Sequence, residues 1–594
     1  MAPGALLAYL GLAFGVFSNA WRDPFVRGIG IAGDPSMEMW FLAWFPYAIG
    51  HGLNPFLTNF ADYPDGANLL WSVSLPLVAL LLTPVTAAFG TVVAYDLMMT
   101  LAVALSAWTA FLLLRRYVRR PVAAAVGGLL YGFSPYMLAQ SMAHPQMTLV
   151  FMPPLILLLV DEIVRVQRRS PVLLGALLAA AGVVQFFIGE EVLVITGLLT
   201  VMLLVVAAAL WPDEVLPRLR YAAGATAIAV GLFAAAVAWP VWYQFLGPRH
   251  ISGVPHQQNM YVSDLLGFWV PTKVEWLAPG RAIRISSRFM GNITEWNAYV
   301  GVPLTLLLAW TAFRRWSNGW VRLATLVGLL VAIVSLGVTV HVGGTVKAWL
   351  PAFTAGLLFL VLPGRVPARV LVLLTFGVWF ALWRLPILSS LLPARLTLFM
   401  FLLAGLLVAI VDGLAGLGRH RLALGVGALL LALAPLVPRL PFPTSTFTVP
   451  AFFAPGGQVS RIPEGSVAVV APVITYNDVE AARWQASAGM RYRMPGGYLL
   501  IPAPPPEGSR QLGPPAATTD ALIGARYGNK ATLGDPDARR EIREQLAAWH
   551  VRTVIVGPME NQDAAVELVT WVLERPPEAV QGVYVWWDVD RGPT

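Results

Sequence analysis

The chain has 594 residues, 57% of them hydrophobic and only 12% charged, with a mean hydropathy of +0.68 and a formal net charge of +8. Soluble domains usually carry about 25% charged residues, so this composition excludes an ordinary soluble enzyme and points to a polytopic α-helical membrane protein. The positive balance does not indicate nucleic acid. Lysine occurs only as Lys273, Lys347 and Lys530, and the arginines fall in short clusters between apolar runs, the pattern of loops retained in the cytoplasm. Cysteine is absent, which removes disulfide, thiolate and zinc–thiolate chemistry.

Residues 4–20 form the first apolar run, slightly short for a span. They have neither a basic leader nor a small-residue cleavage site, so they are expected to be a retained span and not a signal peptide. A loop rich in Trp, Pro and Asp follows, from Trp21 to about Asn68. It is far longer than a transporter hairpin needs and suits an enzyme working at the membrane surface. Asp34, in "GDPS", heads this loop among apolar and aromatic neighbours. A partly desolvated carboxylate there can act as a general base on a sugar hydroxyl; an Asp-Pro turn initiator accounts for the same residue. Glu38 follows one helical turn later and either shares that site or favours the helix from its first turn. Trp40, Trp44 and Trp71 suit stacking on a sugar face, or anchoring at the interface.

Topology follows by parity. The clusters at 115–120, 165–169 and 218–220 belong in the cytoplasm, so 121–139 with 146–164, and 172–189 with 191–210, are hairpins whose turns face outwards. Residues 95–114 run inwards to the first cluster. Residues 69–90, with Pro76 and Pro84, then cannot be a complete span and are expected to be in-plane or re-entrant. Residues 221–245 lead to a second outer loop, 246–297, and further spans fall near 298–313, 320–341, 348–363, 369–384, 397–416 and 422–438. The total is about thirteen, with no internal repeat to support an inverted-repeat transporter.

Several polar residues in these segments are candidates. Glu190 and Glu191 interrupt "VVQFFIGEEVLV", where a charge at bilayer depth costs roughly 2.5–3.5 kcal/mol and marks a functional site unless a wet turn explains it. His144, in "AHPQ", could bind a phosphate or hydroxyl or be structural. In the second loop Asp264 opens "SDLLGFWVPT", Glu295 precedes the next span, and Lys273, Arg281, Arg284 and Arg288 suit a phosphate-bearing headgroup or ordinary anionic lipids. Arg395, in "LPAR", stands at the outer end of span 397–416, placed to hold a phosphate or to snorkel. No phosphate-binding Gly-rich loop and no His-Glu-x-x-His occurs, so ATP-driven transport and zinc proteolysis have no support. No metal ligand set is assigned.

After residue 440 a Pro/Ser/Thr/Gly linker marks a domain boundary. The β-rich runs "SVAVVAPV", "RTVIVGP" and "GVYVWWDV" then alternate with helical patterns at 536–549 and 562–574. The organisation expected is a transmembrane domain over 1–440, with outer loops 21–94 and 246–297, and a small extracytoplasmic α/β domain over 441–594.

The pieces "GDPSMEMWFLAW", "YPDGANLLW", "FSPYMLAQSMAHPQ", "QFFIGEEVL", "SDLLGFWVPT", "EWNAYVG", "LPAR" and "ARWQASAGMRYRMPGGYLL" together resemble the GT-C superfamily of integral-membrane glycosyltransferases, and more closely its bacterial YfhO-like branch. That resemblance implies transfer of a sugar from a polyprenyl-phosphate donor to a glycan, lipid or protein acceptor on the outer face of the cell membrane. It implies no nucleotide cofactor, and usually inversion at the anomeric carbon. Asp34 matches the first-loop acid proposed as the base, and Glu190 or Glu191, Glu295 and Arg395 would line the substrate path. Two other classes fit the same sequence: a transporter or flippase for a lipid-linked glycan, and a non-catalytic envelope-assembly scaffold that keeps the fold.

Overall fold

Apolar runs bounded by proline, glycine and arginine become helices almost wherever they occur. The computed structural model describes residues 2–253, 259–349, 391–410 and 419–591, and most of them are helical. Among the described residues six helices are long and apolar enough to cross a membrane: Thr83–Leu114, Pro121–Gln140, Pro145–Val166, Glu190–Leu210, Pro212–Leu246 and Pro393–Ile410. Shorter apolar helices cover Ala2–Val16, Pro171–Phe186, Val302–Arg314, Gly319–Ser335 and Ala423–Leu436. These segments make the chain a membrane protein. The expected span 369–384, and the span 348–363 from residue 350 onwards, lie outside the described residues.

The chain divides into two units. The first comprises Met1–Trp21, Met98–Ala238 and His256–Pro443. It is built around the helix Thr397–Ile410, whose residues are almost all buried. The helix Pro121–Gly132 lies so close to it that a Cβ added at Gly127 would come within 2.8 Å of the Gly405 carbonyl oxygen. With apolar tails on both sides of the comparison, membrane helices gain from this kind of small-residue contact and not from burial against water.

One element departs from the expected span 320–341. The helix stops at Ser335, and Thr339–Val342 turns back on Thr345–Trp349 as an antiparallel hairpin. Gly343 and Gly344, at φ 62° and 81°, make the turn in a region where side-chain-bearing residues are strained.

The second unit comprises Arg22–Leu97, Trp239–Pro255 and Thr444–Thr594. Residues 69–90 form no single span in it. Pro76–Leu81 is a six-residue helix, and the helix that starts at Thr83 is broken at Gly90 (φ 86°, ψ 172°). Part of the expected linker is paired: Thr444–Thr446 joins Arg27–Ile29 as an antiparallel ladder, with Arg27 opposite Thr446 and Ile29 opposite Thr444.

Beyond it lies a four-stranded sheet. Val551–Val556 runs parallel to Val467–Ala471 and antiparallel to Val583–Trp586, which in turn pairs with Glu578–Val580. Val469, Val554 and Trp586 of the sheet pack on Leu522, Leu546 and Leu568 of the helices Ala517–Arg526, Pro536–Ala548 and Gln562–Leu573. The Asp535 side chain caps the second of these by accepting from the Asp537 N–H at 2.9 Å, with Pro536 in the first turn where no N–H is missed.

Candidate active site

Two groups of acidic residues stand out, one in each unit. In the second unit the backbone reaches Gly33 at φ 111°, and the helix Asp34–Gly50 starts at the next residue. Asp34 is half-buried in the first turn and Glu38 is buried one turn on, so their carboxyl groups share a helix face. Burial, and then the negative charge of Asp34, push the Glu38 carboxyl well above the usual range, and its Oε2 has no hydrogen-bond partner among the described residues. The buried Tyr95 side chain lies within electrostatic reach of both acids.

Both ends of this segment are tied down. Asp96 Oδ1 accepts from the Ile29 N–H at 2.8 Å, four residues before the glycine turn. Trp40 Nε1 donates to Gln485 Oε1 at 2.5 Å, while the Gln485 amide nitrogen donates to the Phe60 and Tyr492 carbonyls, each at 2.7 Å. Trp40 and Trp44 stack on each other 5.3 Å apart and are buried. This corrects the sugar-stacking expectation for that pair: two rings closed off from solvent brace the helix and cannot meet a substrate. Trp71 donates to the Gln244 carbonyl at 2.6 Å.

In the first unit four of the expected residues meet. Arg395, in the short turn Pro393–Leu396, donates from Nε and Nη2 to Glu295 Oε1 at 3.0 and 2.8 Å, and from Nη1 to Glu191 Oε2. Glu295 Oε2 accepts from Gln140 Nε2 at 3.2 Å, and His144 Nδ1 lies 2.6 Å from Gln140 Oε1 and 3.7 Å from Glu295 Oε1. Burial alone would push the Glu295 carboxyl up, but the Arg395 charge, then His144, outweigh it and hold the carboxyl below its ordinary value. Of the five N–H donors of the guanidinium, three are used on carboxylates among the described residues. Glu190 starts the helix Glu190–Leu210 beside Glu191, where carboxylates complement the positive helix end.

Asp264 does not join this cluster. Its Oδ1 accepts from the Leu266 and Gly343 N–H groups at 2.9 and 3.0 Å, and its Oδ2 from Gly344 at 2.8 Å, so it holds the glycine turn of the hairpin. Among the described residues no group of three or more His, Asp or Glu is placed to hold a metal ion.

Two residues not foreseen, Gln140 and Gln485, belong to these arrangements, and a third, Asp62, lies outside them. Gln140 links His144 to Glu295; its spacing of four residues before His144 was the available signal. Gln485 has no local signal at all. Asp62, buried with neither oxygen hydrogen-bonded among the described residues, has its carboxyl pushed up by burial to about 7.

The fold places the chain among known architectures. It is similar to a mutant form of the arabinofuranosyltransferase AftD from Mycobacteria, with a TM-score of 0.53 at 14% identity, matching 100% of this chain and 41% of that one. This likeness is one of fold alone, and the present chain spans about two fifths of the AftD length. The apo oligosaccharyltransferase of Archaeoglobus fulgidus matches at TM-score 0.47 and 13% identity over 93% of this chain and 69% of that one. ArnT from Cupriavidus metallidurans, bound to undecaprenyl phosphate, matches at TM-score 0.41 and 12% identity over 100% of both chains. Residues 5–412 match the family described as a domain of unknown function, DUF6311, and the chain belongs to that family. No curated protein matches the sequence.

Proposed function

We propose that this protein is a membrane glycosyltransferase of the YfhO-like GT-C branch. It would move a sugar from a polyprenyl-phosphate donor to an envelope glycan, lipid or protein acceptor on the outer membrane face. The observation that carries the reading is the acid pair at the head of the helix Asp34–Gly50, a half-buried carboxylate next to a buried one, in a chain with the GT-C fold.

In this scheme Asp34 takes the proton of the acceptor hydroxyl as its oxygen attacks the anomeric carbon. The bond from that carbon to the donor phosphate oxygen breaks, and the polyprenyl phosphate leaves with the electron pair as an anion. Burial and the charge of Asp34 raise the Glu38 carboxyl, which favours its neutral form beside the base. Arg395, with Glu190, Glu191, Glu295 and His144 around it, is read separately as a substrate-binding group of the first unit suited to an anion. No nucleotide or metal cofactor enters the scheme. The reading includes about thirteen spans, and an α/β domain outside the membrane formed by residues 441–594.

The test is sugar transfer by purified protein from a panel of radiolabelled polyprenyl-phosphate sugars into envelope extract, wild type beside Asp34→Asn. Transfer by the wild type and none by a folded variant is the expected result. Equal transfer by both would remove Asp34 from the chemistry.

A further inference from the structure

We propose that the first unit carries a binding site for one anionic phospholipid, separate from the acid–arginine cluster and independent of the glycosyltransferase reading. The site is a groove of about 450 Å³ where the end of the helix Thr83–Leu114, the helix Met152–Asp161 with the turn after it, and the start of the helix Pro171–Phe186 meet. That volume is in the range of ~300–1,000 Å³ typical of small-molecule sites.

The groove has two chemistries. Its floor is apolar, with Leu112, Leu158 and Leu174, and its rim carries Arg115 and Arg169. A third arginine, Arg116, is neutralised by the only carboxylate of the rim: its Nη2 lies 2.7 Å from Glu162 Oε2. The Arg115 guanidinium makes contact with backbone only, donating from Nη1 to the Val118 and Arg119 carbonyls at 2.9 and 2.5 Å. Arg169 is exposed, and its guanidinium has no acidic partner among the described residues. Two cations without a counter-charge, set over a leucine floor at the end of membrane helices, complement a phosphate head with an acyl chain beneath it.

The groove is not an extension of the candidate active site. The sixteen-residue helix Pro171–Phe186 starts beside Arg169 and ends next to Glu190 and Glu191, which separates the two by roughly 24 Å at 1.5 Å per residue. Zwitterionic lipid would satisfy the floor but leave the two arginines without net charge compensation. The occupant is therefore an anionic phospholipid of the bilayer in which the protein sits.

Native mass spectrometry of the full chain in mild detergent tests this, with phosphatidylglycerol and phosphatidylcholine of identical acyl chains as probes. Wild type is expected to hold phosphatidylglycerol preferentially, and the double variant R115Q/R169Q to bind it about thirtyfold more weakly, from the contribution of two arginines at a lipid surface. If loss of the Arg115 backbone contacts prevents folding, Arg169→Gln alone is expected to weaken binding about fivefold. Equal binding of the two lipids, or unchanged binding by the variants, would overturn the proposal. So would an equal loss in Arg168→Gln, since Arg168 is a neighbour outside the groove and its effect reports diffuse attraction. Displacement of phosphatidylglycerol by undecaprenyl phosphate at equal concentration would reassign the groove to the lipid carrier.

Discussion

Glu38 and Glu295 are both buried glutamates near other acids, yet their surroundings drive their carboxyl groups in opposite directions. Glu295 has Arg395 on one oxygen and Gln140 on the other, and the cation wins over burial. For Glu38 no cation is among the causes of the shift within the described residues; burial and the charge of Asp34 act in the same sense. Burial by itself therefore says nothing about protonation: the partner decides. The first arrangement is a pre-paired electrostatic brace; the second sets a buried carboxyl of raised pKa one helical turn from the half-buried Asp34. Chemistry is expected from the second, and organisation or anion binding from the first.

Breaking the acid pair should have the largest effect. Asp34→Asn keeps the shape of the side chain and removes the base, so transfer should fall by about two to four orders of magnitude. Fold integrity should be unaffected, as judged by gel filtration and thermal unfolding in detergent. The brace should fail differently. Arg395→Met leaves Glu191 and Glu295 facing each other without their cation, at a cost of about 3–5 kcal/mol in unfolding free energy measured in mixed micelles. If Arg395→Met unfolded no more easily than wild type, the cluster would not be a stabilising unit, and the contrast with Asp34 would lose one side.

The sequence made these acids visible and left their partners hidden. A charge inside an apolar run must find compensation, which singled out Glu191, Glu295 and Arg395 one at a time. Their meeting, across separations of 100 and 204 residues, is a property of helix packing that no local pattern records. The hairpin Thr339–Trp349 was missed for a related reason. "TVHVGGTV" is apolar enough to extend a span by hydropathy, although Gly-Gly between β-branched residues is a turn signal. Trp40 and Trp44 look like a sugar platform in a polar loop, and only the packing of Glu480–Ser487 against their helix shows them to be closed in. The β-rich runs after residue 465 coincide with strands because short β-branched and aromatic runs are a local signal.

That packing gives the next effect in size. Gln485→Met is close in volume but leaves the Trp40 Nε1–H and the Phe60 and Tyr492 carbonyls without their buried partner. A loss of at least ~2 kcal/mol is expected. The combination with Arg395→Met, in the other group of residues, should be additive to within about 0.5 kcal/mol if the two networks share no partners. A larger coupling would show that the brace and the acid helix are one energetic unit.

The smallest effect is the pH dependence of stability, and it separates the two acids by sign. A carboxyl whose pKa is raised on folding keeps its proton in the native state while the unfolded chain releases it. Its contribution is therefore intact below the ordinary Glu value and is lost as pH rises through the raised one. Glu38 belongs to this class. Asp62, with a native value of about 7, also does, so its loss should fall between the ordinary Asp range and neutrality. Glu295 belongs to the opposite class, with stability present above the ordinary value and lost as pH falls through the lowered one. Glu38→Gln cannot ionise, so thermal unfolding between pH 5 and pH 8 should show the variant gaining on wild type as pH rises. If wild type and variant instead kept a constant difference across that range, Glu38 would be ionised in the native state. Asp34 would then have a charged neighbour, and the acid pair would lose the feature that distinguishes it from the brace.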